Sequence, residues 1–338
     1  MRKAVIQAGA VLMCALILYQ APAAGAHKTL RPEIEAFIDD MVRQHQFKRA
    51  DLRRMFRQVR SRPAIIRAMS APATARPWHE FRDRYLDRPH IDGGIAFREQ
   101  NSSTLARARR EFGVPEEFIV AVIGIETLYG RNVGSTRVLD ALATLAFDYP
   151  PRAGFFTGEL EQYLLLAREA GFDTLNVKGS YAGAMGIPQF MPSSYRKYVI
   201  DFDGDGKRDL WGDAADAIGS VAHYFQAFGW RPGEPVVVPV DVRDIDVSAQ
   251  LAAGIRPSLK VGELKRLGIV PAEELRDDED ATLFFVESED GPQYWLGLWN
   301  FYVITRYNRS VNYSMAVYEL ARALRAAAPG PAGGMGLE

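Results

Sequence analysis

The stretch FIVAVIGIETLYG, residues 118–130, decides how this chain is read. Apart from Glu126 and Thr127 it is apolar, aromatic or glycine. It predicts a helix that opens at Pro115, whose fixed φ suits a first turn, with Glu116 and Glu117 beside the positive end of the helix dipole. Gly130 marks the expected exit. Ile119, Val122 and Ile123 lie seven, four and three positions before Glu126 and share its face. The carboxylate is therefore expected on the buried side or at its edge. Burial disfavours the charged form and raises a carboxyl pKa, as a general acid near neutral pH requires. A buried glutamate that pairs with an arginine or caps a backbone group has the same signature, so the helix alone leaves both roles open.

Working outward, the flanking chain is mostly helical. Ile34, Phe37, Ile38, Met41 and Val42 recur at helical spacing, and Leu52, Met55, Phe56 and Val59 begin a second helix. A Pro/Arg-rich connection containing APATARPWHEF leads to a helical region over 94–112. Residues 113–230 are helical again, broken by Gly-rich and polar loops. Character changes over 234–290, where EPVVVPVDV and ATLFFVE are β-branched and aromatic and ESEDG reads as a hairpin turn before PQYWLGL. A last helix is expected over 311–327, followed by APGPAGGMGLE, too poor in apolar residues to fold. The class is α+β, mainly helical, with a small strand-rich insertion.

The leader is distinctive. Arg2 and Lys3 precede the apolar run VIQAGAVLMCALILY, and Ala24-Gly25-Ala26 reads as a cleavage site, so residues 1–26 are expected to be a signal peptide. Removing them takes two bases and no acids, and the formal net charge moves from −1 to −3. Nothing in that balance attracts a polyphosphate, which argues against nucleic acid as a partner. The single cysteine, Cys14, goes with the leader, leaving an exported chain without disulfides.

DFDGDGKRDLWG, residues 201–212, has the spacing of a calcium loop. Asp201, Asp203, Asp205 and Asp209 supply oxygens at positions 1, 3, 5 and 9, Lys207 its carbonyl at position 7, and Gly206 the sharp turn at position 6. Gly212 stands where the bidentate glutamate belongs, and Asp213 or Asp216 could replace it after a shift in the exit. The bland reading is a solvated acidic turn capping the following helix.

GIETLYG, ALATLAFDYPPRAGFF, KGSYAGAMGIPQFMPSSYRKY (178–198), DAIGSVAHYFQAFGW and ITRYNRSVNYSMAV occur in an order that closely resembles the lytic murein transglycosylase B family, over about residues 33–325. The resemblance implies a lysozyme-like catalytic core over 113–230, an accessory helical region over 27–112, a small strand-rich domain over 231–294, and helices over 295–327 that complete the core. It implies cleavage of the β-1,4 bond between N-acetylmuramic acid and N-acetylglucosamine in peptidoglycan without water, giving 1,6-anhydromuramic ends. Glu126 takes the role of sole acid/base. Ser180, Gln189, Tyr307, Asn308 and Tyr313 take cleft positions, and Arg152 matches one arginine of a pair facing the peptide. Its neighbour is Pro151, where some members carry the second arginine. A calcium ion of structural role, a periplasmic location, and a monomer with room for a cell-wall synthesis complex complete the expectation. The alternatives are a hydrolytic muramidase with Asp140 or Asp148 as second carboxylate, and a non-catalytic wall-binding protein.

Overall fold

The computed structural model describes residues 29–70, 77–243 and 245–327; the leader 1–26 and the tail 328–338 lie outside them. The spacing of Ile34, Phe37, Ile38 and Met41 is realised as α1 (Pro32–His45), which buries all four. In α2 (Arg49–Phe56), Leu52 and Phe56 are buried, and the helix stops short of Val59. The two pack together, with Arg53 forked onto Glu35 at 2.9–3.1 Å. These helices belong to a unit that ends at Gln58, and a second unit begins at Val59.

The second unit opens with α3 (Pro63–Ser70), α4 (Trp78–Asp83), α5 (Arg88–Gln100), α6 (Ser102–Phe112) and α7 (Glu116–Thr127). The expected single helical region over 94–112 is thus two helices. Asn101 separates them by turning its amide back to the Phe97 carbonyl at 2.8 Å, the local competition with the backbone that makes asparagine a helix breaker. A two-residue strand pair, β1 (Thr136–Arg137) with β2 (Lys178–Gly179), brackets α8 (Val138–Asp148), a 3-10 turn at Pro150–Arg152, and α9 (Ala153–Ala170). Then follow α10 (Pro192–Tyr198) and α11 (Ala214–Ala227).

The strand-rich segment comprises β3 (Val237–Asp241), α12 (Ser248–Ala252), β4 (Leu259–Lys260), α13 (Val261–Arg266), β5 (Val270–Pro271), β6 (Asp280–Ser288) and β7 (Gly291–Gly297). Its antiparallel sheet runs β4-β6-β7-β3-β5. Ser288 pairs with Gly291, so the ESEDG hairpin turns at Glu289 and Asp290. The short helices α12 and α13 were not anticipated among the strands. Val261 and Leu264 of α13 close a small core over Val238, Leu283 and Leu296. The chain then returns through α14 (Trp299–Tyr307) and α15 (Val311–Ala326).

Helix α7 is the axis of this unit. Residues Phe118 to Ile125 are all buried, and α5, α6, α11 and α15 pack around it. A helix apolar on every face is an interior helix, so the one-faced reading of the sequence understated its burial. No helix among the described residues is long and apolar enough to cross a membrane.

Candidate active site

Pro115 is the residue before the first turn of α7 rather than part of it, and the exit comes at Leu128 rather than Gly130. Leu128, Tyr129 and Gly130 all have positive φ (49°, 60° and 85°). Two consecutive non-glycine residues in that region carry strain that the surroundings must offset. Tyr129 supplies the compensation. Its hydroxyl donates to the His90 carbonyl at 2.6 Å, and its ring lies in a slot where a Cβ on Gly124 would come within 2.5 Å of the phenol oxygen. Thr127 adds a second tie, donating to the Ile187 carbonyl at 2.8 Å and accepting from Gly130 N–H at 3.0 Å. The end of α7 is therefore locked to α5 on one side and to the loop before Gln189 on the other.

Glu126 sits at this locked exit. It is half-buried, at the edge of the buried face, while Ile119, Val122 and Ile123 are fully buried. Tyr313, 3% exposed on α15, donates its hydroxyl to Glu126 Oε1 at 2.6 Å. Loss of hydration pushes the Glu126 carboxyl up to about 7, against the smaller opposing effect of the tyrosine donor. The other carboxyl oxygen makes no further hydrogen bond among the described residues.

Glu159 is an instructive contrast, a second glutamate whose pKa is raised first by burial. Both its oxygens are taken by Ser193, Oε2 by the backbone N–H at 2.9 Å and Oε1 by the hydroxyl at 2.6 Å, at the start of α10. That is the capping role left open for Glu126, which instead keeps an oxygen free.

The residues that the resemblance placed in the cleft fall as follows. The hydroxyl of Tyr307 donates to the Pro188 carbonyl, and its ring lies nearly parallel to that of Tyr313, with centroids 6.5 Å apart. Burial, followed by the Glu126 charge, raises the pKa of both phenols far above the usual value. Gln189 adopts φ 53° and spends its amide N–H groups on the carbonyls of Val133 (3.1 Å) and Gly186 (2.9 Å), leaving its oxygen available. Ser180 accepts from Ala182 N–H (3.2 Å) and Ala184 N–H (3.0 Å), so its hydroxyl hydrogen remains to donate. Asn308 receives Ser310 N–H at 3.2 Å in the α14–α15 turn. Arg152 is exposed and stands over the Phe155 ring, 4.5 Å from its centre.

One residue escaped sequence reasoning. Tyr85, between α4 and α5, packs edge-on against His90 at 5.5 Å. Its pKa is raised by burial first and, after the opposing Arg84, by the charge of Glu126. No motif flagged it, because it reaches the site from the far-off α4–α5 turn.

Asp140 and Asp148, the alternative second carboxylates, lie on α8. Asp140 is fully buried; Oδ1 takes Arg60 N–H and Arg137, and Oδ2 takes Arg62 at 2.9 Å. Asp148 receives the Ser61 hydroxyl at 2.7 Å. Asp140 has no free oxygen with which to activate water, so it is a structural ion-pair residue.

In the acidic loop, carboxylate oxygens of Asp201, Asp203 and Asp205 lie within 4.8 Å of one another, as do those of Asp203, Asp213 and Asp216. Asp209 is outside both groups and turns Oδ1 to the N–H groups of Trp211 (2.8 Å) and Gly212 (3.1 Å). An all-oxygen, multiply anionic set suits a hard divalent cation.

Residues 29–322 match the family model described as the transglycosylase SLT domain. The chain is 44% identical over 303 residues, 87% of its length and 82% of the relative's, to membrane-bound lytic murein transglycosylase B of Escherichia coli (strain K12). Among solved structures it resembles catenated lytic transglycosylase SltB1 from Pseudomonas aeruginosa, with TM-score 0.83 and 48% identity over 88% of this chain and 98% of that one. It also resembles the Escherichia coli lytic transglycosylase Slt35 in complex with calcium, with TM-score 0.79 and 43% identity over 88% and 93% of the two chains. The chain therefore belongs to the SLT transglycosylase family and is a peptidoglycan-cleaving lytic transglycosylase.

Proposed function

We propose that Glu126 alone performs both proton transfers of this reaction. The observation that carries the proposal is a half-buried carboxyl with a pKa near 7, one oxygen held by Tyr313 and the other free. As an acid, Glu126 gives its proton to the oxygen linking N-acetylmuramic acid to N-acetylglucosamine, and the bond from that oxygen to the muramic C1 breaks. The resulting carboxylate then takes the proton of the C6 hydroxyl of the same sugar while O6 bonds to C1. Glu126 ends protonated, no water is consumed, and the product carries a 1,6-anhydro ring. The nucleophile is already part of the substrate, so its effective concentration is high. A pKa near the working pH serves both half-reactions.

Ser180, Gln189, Tyr307, Asn308 and Tyr313 line the cleft in this reading, with Arg152 facing the peptide. The free Ser180 proton and the Gln189 oxygen offer hydrogen bonds to sugar substituents, and the half-buried Tyr307 ring suits sugar C–H surfaces. Residues 27–112 form the accessory region, 113–230 and 295–327 the catalytic core, and 231–294 the strand-rich domain. Calcium is held by Asp201, Asp203, Asp205 and the Lys207 carbonyl, with Asp213 or Asp216 at the exit. When bound, the ion neutralises the loop and takes no part in the proton transfers. The leader directs the chain to the periplasm of a Gram-negative envelope, where peptidoglycan strands are its partner.

Mass spectrometry of muropeptides released from purified sacculi tests the chemistry. Anhydromuramic ends, lighter by one water than hydrolytic products, are expected. Reducing muramic ends as the main product would contradict the proposal.

A further inference from the structure

A pocket of about 480 Å³, lined by Val133 and Gly134 after α7, by Phe172 and by residues up to Lys178 of β2, is used by none of the roles above. Trp211 and Phe172 form one wall, with rings edge to face and centroids 6.4 Å apart. The indole is pinned on two further sides: its Nε1–H donates to the Lys178 carbonyl at 3.2 Å, and Tyr195 packs 5.9 Å away. Both pocket aromatics are only partly covered, so an apolar face remains accessible. A half-exposed indole locked by three neighbours is preorganised and loses little entropy when a ligand stacks on it.

Other lining residues tie this pocket to Gln189 and Ser180. Val133 lines it and accepts the Gln189 amide at 3.1 Å. Gly134, beside it, approaches the β2 backbone so closely that an added Cβ would lie 2.1 Å from the Gly179 carbonyl oxygen. Lys178, at the rim, is two residues from Ser180, about 7 Å along an extended chain. The polar lining comprises Lys178, exposed and without a carboxylate partner among the described residues, Asn176, and the exposed carboxylate of Asp173, which accepts from the Asn176 amide at 2.7 Å. Two aromatic side chains with a few polar groups beside them, donors on Lys178 and Asn176 and an acceptor on Asp173, match a sugar ring with an acetamido group, which presents C–H surfaces, carbonyl and hydroxyl acceptors, and N–H and O–H donors.

We infer that the Phe172–Trp211 pocket is an outer saccharide subsite, which holds an amino-sugar unit of the same glycan strand beyond those at Ser180 and Gln189. The inference rests on the cleft reading above. Its consequence is a preference for longer strands.

The test uses the full chain with Glu126→Gln, so that oligosaccharides are bound and not cut, and compares chitohexaose with chitotriose by calorimetry. Adding Phe172→Ala or Trp211→Ala should weaken hexaose binding about three- to tenfold, the worth of one aromatic contact, and change triose binding less than about twofold. Trp211→Ala also removes a packing partner of Tyr195, so Phe172→Ala is the decisive variant if the former melts early. A third readout is the indole N–H resonance of Trp211, which should shift with hexaose and not with triose. Equal losses for both sugars, or no loss for either, would overturn the subsite while leaving the cleft intact. Failure of the parent to bind either sugar would overturn it together with the cleft reading. Displacement of the Trp211 signal by a free stem tetrapeptide, with hexaose silent, would make this a peptide pocket and overturn it too.

Discussion

The Tyr313 hydroxyl donates to Glu126 Oε1 at 2.6 Å, joining α15 to α7 through two residues 187 positions apart in sequence. This bond favours the charged carboxyl and so opposes the dominant effect of burial. If Glu126 must be protonated to begin the reaction, kcat/KM should fall above an apparent pKa of about 7. Tyr313→Phe removes the opposing donor and should move that alkaline limb upward. A pH–rate profile of the two proteins checks it, and an unmoved or lowered limb would show that the tyrosine does not tune the carboxyl.

The same burial predicts a cost in stability. Between its ordinary value of 4.5 and its folded value of about 7, Glu126 binds a proton in the folded chain and not in the unfolded one. Its contribution is therefore present at low pH and is lost as pH rises through that window, on the order of 1–3 kcal/mol in all. Glu126→Gln should melt at a higher temperature than the parent at pH 8 and close to it at pH 4. Thermal melts at the two pH values give the answer, and a lower melting point at pH 8 would contradict it.

Asp140 behaves in the opposite sense. Burial alone would raise its pKa, but Arg137, the Arg60 N–H and Arg62 together hold it below the usual carboxylate range. Its stabilisation is present at neutral pH and lost as pH falls through that lowered value. Asp140→Asn should destabilise the chain by about 3 kcal/mol, the lower end for breaking a buried pair, because Arg62 is half-exposed. Denaturant titration measures this. A change in product from anhydro to reducing ends in this variant would mean that the aspartate does chemistry.

Calcium should stabilise the folded chain by mass action, by about 1.4 kcal/mol at tenfold saturation over Kd. Asp203 contributes to both carboxylate groups of the loop, so Asp203→Asn should reduce the calcium-induced rise in melting temperature more than Asp209→Asn does. Magnesium should act more weakly, since it demands tighter octahedral geometry. Equal effects of the two substitutions would place the ion elsewhere.

Much of this was legible in sequence because it is local. Spacing alone located α1, α7 and the β6–β7 hairpin, and it put Glu126 on the buried side of its helix or at the edge of that side, where it lies half-buried. What escaped depends on contacts between distant segments. Nothing in IETLYG says that Leu128 and Tyr129 can hold positive φ; that needs the Gly124 slot and the His90 carbonyl on α5. The effect of Glu126 on Tyr85 and the hold of Arg60 and Arg62 on Asp140 are equally non-local, since these partners lie dozens of residues away. At 201–212 the spacing brings Asp201, Asp203 and Asp205 together, whereas Asp209 closes a turn on Trp211 and Gly212, which the spacing does not foretell.

The central claim is that one carboxyl performs both proton transfers, and the rate of glycan cleavage by Glu126→Gln tests it most directly. Glutamine keeps the size of the side chain and can still accept from Tyr313, but it cannot give or take the proton. The folded variant, verified by circular dichroism, should release muropeptides from purified sacculi at least about 10²–10⁴-fold more slowly than the parent. Release within a few-fold of the parent rate by a folded Glu126→Gln protein would contradict the account.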